Sequence, residues 1–109
     1  MKLIKSVIRP NKVDDVREAL ERLNLAGMTV TDVRGHGRQK GHTAIYRGKE
    51  YNVTLLPKVE IEVVVQDNVV EDVIAAIVKA ARTGEIGDGR VFVMPVEHSY
   101  NIRTGERDT

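Results

Sequence analysis

The apolar positions fall into six segments, four with strand character and two with a helical repeat. LIKSVI, from Leu3 to Ile8, reads as a first strand that Pro10 and Asn11 stop. NKVDDVREALERLNLAG follows, with Val13, Val16, Leu20 and Leu23 at helical spacing. Asn11 is the expected N-cap of this helix, and Asp14 places negative charge in its first turn. Asn24 or Gly27 ends it. MTVTDVRG, from Met28 to Gly35, is a second strand rich in Thr and Val. In KVEIEVVVQ, Val59, Ile61, Val63 and Val65 share one face, while Glu60, Glu62, Val64 and Gln66 share the other. That is a half-buried third strand. NVVEDVIAAIVKAARTG is the clearest helix, with Asn68 and Glu71 as a capping box. Its apolar stripe is Val70, Val73, Ile74, Ile77, Val78 and Ala81, and Gly84 is the expected stop. RVFVMPV is the fourth strand, and the polar tail from residue 97 is expected to be ordered in part by contacts.

Strand, helix, strand, strand, helix, strand is the order of the split βαβ arrangement. The expected fold is therefore α+β: a ferredoxin-like βαββαβ sandwich, an antiparallel sheet with two helices on one face. The length implies one domain over residues 1–109. On the uncovered face Val64 and Phe92 mix with glutamates, a pattern that suggests an oligomer interface. The segment between the second and third strands, about residues 37–55, is too long for a hairpin turn, and loops of that length inside compact domains usually carry function. Tyr46 to Tyr51 form its tip.

Charge changes this picture little. Charged residues make up 30% of the chain and nearly balance, at a formal +1, unlike the basic excess of a dedicated nucleic-acid binder. The third strand has no aromatic on which a base could stack, and the fourth has only Phe92, so RNA binding is not expected. There is no cysteine, which excludes disulfides and thiolate chemistry. No stretch reads as a signal peptide or a membrane span, so a cytoplasmic location is expected, with membrane contact only through a partner.

Three stretches carry candidate chemistry. RGHGRQKG, from Arg34 to Gly41, mixes glycines with Arg34, Arg38 and Lys40; it is either a phosphate-binding loop or a flexible basic loop entrance. It has the spacing of neither a P-loop nor a dinucleotide fingerprint. TGEIGDGRVFV, from Thr83 to Val93, holds Gly84, Gly87 and Gly89 around Asp88. A helix stop and a tight turn account for two of the three glycines, and close approach to a ligand would account for the third. NIRTGERD carries Arg103 and Arg107, which can reach a phosphate or simply be solvated. Lys58, just after Pro57, is placed to hold a carboxylate or phosphate. His36, His42 and His98 lack metal-ligand spacing; a hard cation such as Mg²⁺ would need only phosphates and one side-chain oxygen, which Gln39 can give. No nucleophile and base pair is evident, so the chain is not expected to be an enzyme.

These stretches resemble one family. YRGKEY (Tyr46 to Tyr51) and TGEIGDGRVFV are similar to the two signatures of the PII signal-transduction proteins of GlnB/GlnK type. GMTVTDVRGHGRQKGH, LPKVEIE and IRTGE add to the similarity, which runs in register from Met1 to about Asp108. The resemblance implies a homotrimer that binds ATP or ADP between subunits, together with Mg²⁺ and 2-oxoglutarate. It implies phosphate-side roles for Gly35, Gly37, Arg38, Gln39, Gly87, Gly89, Arg90 and Arg103. Val7, Thr29, Glu62 and Val64 match base and ribose positions, and His36 and Asp88 are counted in the same cleft. Gln39 matches the Mg²⁺ ligand and Lys58 the partner of the 2-oxoglutarate carboxylate. The long segment matches the T-loop, which meets targets: an ammonium transporter channel, with Arg47 as the pore-plugging residue, and also glutamine synthetase or a uridylyltransferase acting on Tyr51. Asn101 departs from a second phosphate-binding arginine, Arg90 from a usual lysine, Asn11 and His36 from common aromatics, and His98 from a frequent arginine. The alternatives are a PII-like nucleotide regulator without 2-oxoglutarate sensing, and a small ferredoxin-like enzyme.

Overall fold

A computed structural model describes residues 1–25, 27–36, 43–46, 49–52 and 55–108. Its elements are β1 (Lys2–Ile8), α1 (Val13–Arg22), β2 (Met28–His36), β3 (Thr43–Tyr46), β4 (Lys49–Asn52), β5 (Leu55–Val65), α2 (Val70–Ala81), β6 (Gly89–Pro95), β7 (Ser99–Tyr100) and β8 (Arg107–Asp108). β2, β5, β1 and β6 form one sheet in that order, all antiparallel, which is the expected ferredoxin-like topology.

The alternation of β5 sets the core. Val59, Ile61, Val63 and Val65 are buried beneath the helices, joined by Ile4 and Ile8 of β1, Val16 and Leu20 of α1, and Val73, Ile77 and Ala81 of α2. Each Val, Leu and Ile among them contributes roughly 1.5–3 kcal/mol on burial. Ser6 is the one fully buried polar side chain in this set, and its hydroxyl donates to the Ile61 carbonyl at 3.3 Å. That bond satisfies the hydroxyl inside the apolar layer.

The helices cover the two central strands and leave the edges open. Val30 pairs with Ile61 and Val93 with Ile4, so both lie on the helix side of the sheet; they remain 46% and 41% exposed. Val78, on the expected stripe of α2, is also exposed, and with Ile74 it lines a groove of about 380 Å³ beside β6. Leu23 lies beyond the helix and is exposed, while Leu25 packs on the core in its place.

Both expected caps are corrected. Asn11 sits inside a 3₁₀ turn, Pro10–Lys12, and α1 starts at Val13 without a side-chain cap. Asn68 likewise sits inside Asp67–Val69, and α2 starts at Val70 with no capping box. In each case the tighter turn supplies the backbone partner that a cap would have supplied: the Val13 N–H donates to the Pro10 carbonyl and that of Val70 to the Asp67 carbonyl. Asn24, at φ 62°, ends α1. α2 ends at Ala81, ahead of Arg82 and Gly84.

β5 begins earlier than expected and runs through Pro57. Residues 55–58 extend past the end of β1 and pair only with β2, so Pro57 removes no N–H from the β1 ladder. Within the long central segment β3 and β4 form an antiparallel ribbon, Thr43 opposite Asn52 and Tyr46 opposite Lys49. The tail is also ordered, by the β7–β8 hairpin.

Candidate functional site

The open face of the sheet carries the even-numbered residues of β5. In register across it stand Thr31, Glu60, Val7 and Arg90 in one row, and Thr29, Glu62, Lys5 and Phe92 in the next. Lys5 forms an ion pair with Glu60 at 3.1 Å. At the end of this face β1 stops, β6 starts, and the loop 82–88 folds back.

That loop is organised from within. The Asp88 carboxylate accepts the Thr83 and Gly84 N–H groups at 2.9 and 2.8 Å, and the Thr83 hydroxyl donates to its other oxygen. The Arg9 Nε donates to that oxygen at 3.1 Å, and the Arg9 fork also reaches the Ile86 carbonyl at 3.0 Å. The Thr83 hydroxyl bond, backed by the two amides and Arg9 against the opposing effect of burial, holds the Asp88 carboxyl well below the usual carboxylate range. Asp88 thus serves the shape of the loop with both oxygens. Gly84, Gly87 and Gly89 all have positive φ, so backbone conformation alone accounts for the three glycines. Gly89 meets a second constraint: a Cβ there would stand 1.8 Å from the Val7 carbonyl oxygen.

Lys58 approaches the same loop from β5. Its Nζ donates to the Gly87 carbonyl at 2.6 Å, and its stem lies across Gly35. A Cβ on Gly35 would stand 2.7 Å from Lys58 Cγ, so the glycine makes room for the lysine. Burial, aided by the Arg9 cation, pushes the Lys58 ammonium below its ordinary value, with Asp88 acting the other way. A lysine held against a carbonyl beside a second cation is suited to gain an anion.

The structure therefore brings together Val7, Gly35, Lys58, Gly87, Asp88, Gly89 and Arg90. Thr29, Glu62 and Val64 share the open face but lie further along it; Glu62 is four residues from Lys58, roughly 13 Å of strand. Arg103 sits in the turn of the β7–β8 hairpin, exposed, and no hydrogen bond or ion pair among the described residues ties it to the 82–88 loop. His36 closes β2 opposite Leu55, and Tyr51 is placed opposite Ala44 on the ribbon. Gly37, Arg38, Gln39 and Arg47 lie outside the described residues. Among the described residues no group of three or more His, Asp or Glu is arranged to hold a metal, and no helix is long and apolar enough to cross a membrane.

Sequence reasoning missed two residues, Arg9 and Thr83. Arg9 acts on a loop 79 residues away, which no local pattern reveals. Thr83 carried a usable signal, a hydroxyl residue just past a helix end with an aspartate five residues on.

Lys58 and Arg9 bring positive charge to this loop, and Asp88 already engages Arg9. Known proteins resemble the chain over nearly its whole length. The family described as nitrogen regulatory protein P-II matches residues 1–106. The chain is 56% identical over 108 residues to the nitrogen regulatory protein P-II of Haemophilus influenzae, covering 99% of this chain and 96% of that one. It is 56% identical over 108 residues to nitrogen regulatory protein P-II 1 of Escherichia coli K12, with the same coverage. To the Rhizobium etli protein P-II it is 51% identical over 109 residues, covering 100% and 97%.

Proposed function

The chain belongs to the nitrogen regulatory protein P-II family, and on that premise we propose that it is a homotrimeric sensor of ATP or ADP and of 2-oxoglutarate. The observation that carries this reading is the grip of Lys58 on the Gly87 carbonyl, at the mouth of a loop that Asp88 organises from within. Gly35, Gly87, Gly89, Arg90, Arg103 and, from the segment outside the described residues, Gly37, Arg38 and Gln39 are assigned to the phosphates. Val7, Thr29, Glu62 and Val64 are assigned to the base and ribose. Gln39 would hold Mg²⁺, which when bound would neutralise phosphate charge.

The site completes itself between subunits in this proposal. Two features support that. The open face leaves Val64 and Phe92 exposed, as an interface requires. Arg103 is presented on a separate hairpin, where a neighbouring copy can receive it.

Lys58 then acts as the switch residue. Without the dicarboxylate it holds the loop through Gly87; with it, the ammonium gains a carboxylate partner and the base of the long segment changes its contacts. Ligands that bind the two arrangements unequally shift their populations. The readout is which partner docks on the segment 37–55: an ammonium transporter channel through Arg47, with glutamine synthetase or a uridylyltransferase acting at Tyr51 as further partners. The protein is placed in the cytoplasm, meeting a membrane only through such a partner.

Calorimetry with ATP, ADP and AMP tests the nucleotide half. Binding of ATP and ADP, weakened by Arg90→Ala with the trimer intact, is expected; an affinity unchanged by that substitution removes Arg90 from the site. Pull-down of the transporter with and without ADP tests the readout, and retention indifferent to nucleotide would contradict it.

A further inference from the structure

In the hairpin that carries Arg103, one side chain holds the backbone of residues 103 and 104. The Asn101 Oδ1 accepts the N–H of Arg103 at 2.8 Å and that of Thr104 at 3.2 Å. The backbone of the same residue closes the turn at both ends: its N–H donates to Glu106 at 2.8 Å, and its carbonyl accepts from Gly105 at 2.7 Å. The Thr104 hydroxyl accepts from the Glu106 N–H at 3.1 Å. Four successive amides, 103 to 106, thus have partners inside a six-residue turn, with Gly105 at φ 71°. Below the turn, Ser99 donates to Asp108, and Arg107 contacts His98.

Such order is unusual for an exposed turn between strands of two residues. Two pairs of β7 and β8 residues do not hold a hairpin alone. Asn101 is half-buried, while its neighbours stand in solvent and Ile102 is wholly exposed. The turn projects the Arg103 side chain outward from a fixed backbone, and that guanidinium makes no hydrogen bond or ion pair among the described residues.

We infer that Asn101 is a positioning residue for Arg103, its carboxamide fixing the backbone from which the guanidinium reaches a polyphosphate. The inference rests on the assignment of Arg103 to the phosphates made above. Asn101 touches no ligand in this account. It acts by removing backbone disorder at residues 103 and 104 before the ligand arrives, so that binding has less to freeze.

The test is MgATP titration calorimetry on the full-length wild type, Asn101→Ala, Arg103→Ala and the double variant, with amide hydrogen exchange on the free proteins. Asn101→Ala is expected to weaken MgATP about three- to tenfold, and to speed exchange at residues 103 and 104. Asn101→Asp, which keeps the acceptor, is expected to preserve their protection. In the Arg103→Ala background the Asn101→Ala loss should vanish, because Asn101 acts only through Arg103. An Asn101→Ala affinity equal to wild type, with Arg103→Ala weakened, overturns the inference alone. So does an Asn101→Ala loss of the same factor in both backgrounds, which is the mark of a merely structural role. Wild-type affinity in Arg103→Ala overturns the assignment beneath it, and the inference with it.

Discussion

Gly89 and Val7 stand in a contact that admits no side chain: a Cβ at residue 89 would lie 1.8 Å from the Val7 carbonyl oxygen and 2.9 Å from its carbon. The obstacle is backbone in a central strand, which cannot swing aside, and φ at Gly89 is +113°. Gly89→Ala is therefore expected to destabilise the fold by at least about 3 kcal/mol, from the clash and the left-handed backbone together. Urea denaturation checks it; a loss below about 1 kcal/mol would show that β1 and β6 separate more easily than their register implies.

Gly35→Ala presents the opposite case. Its Cβ would meet the flexible stem of Lys58, which can give way. The expected stability loss is about 1 kcal/mol, but the lysine leaves Gly87. Binding of 2-oxoglutarate should fall by about tenfold, on the scale of one charge-assisted hydrogen bond, while thermal melting changes by a few degrees. Equal damage to fold and binding would show that Gly35 is needed for packing alone.

Asp88 predicts a pH dependence. Its carboxyl titrates lower in the folded chain than in the unfolded one, chiefly through the Thr83 hydroxyl bond. The folded state therefore favours the ionised form. This contribution to stability is full above the ordinary carboxyl range, about pH 4, and is lost as pH falls through the lower folded value. Asp88→Asn removes it. The gap in urea midpoint between wild type and Asp88→Asn is expected to be widest at pH 7 and to narrow as pH drops below about 4. A gap independent of pH would mean that the carboxylate charge does not contribute.

The fold was legible where burial dictates pattern. Val59, Ile61, Val63 and Val65 alternate because one face of β5 is covered, and Val16, Leu20, Val73 and Ile77 repeat because two helices cover it. The helix starts were not, because Pro10 and Asp67 open 3₁₀ turns that make a side-chain cap unnecessary at Asn11 and Asn68. The third glycine of the loop 84–89 needs no ligand to explain it, because backbone conformation accounts for it. Arg9 was invisible, since its partners, Ile86 and Asp88, lie at the far end of the chain. The gathering of Gly35, Lys58 and Gly87 was legible only through resemblance, because three residues from three segments share no local pattern.

Lys58→Met gives the most direct test of the account. Calorimetric titration of 2-oxoglutarate into the wild-type chain should give heat in the presence of MgATP and none without it. Lys58→Met should bind MgATP but lose the 2-oxoglutarate heat at least tenfold. No 2-oxoglutarate heat from the wild type with MgATP present would contradict the claim that the Lys58–Gly87 site senses this ligand.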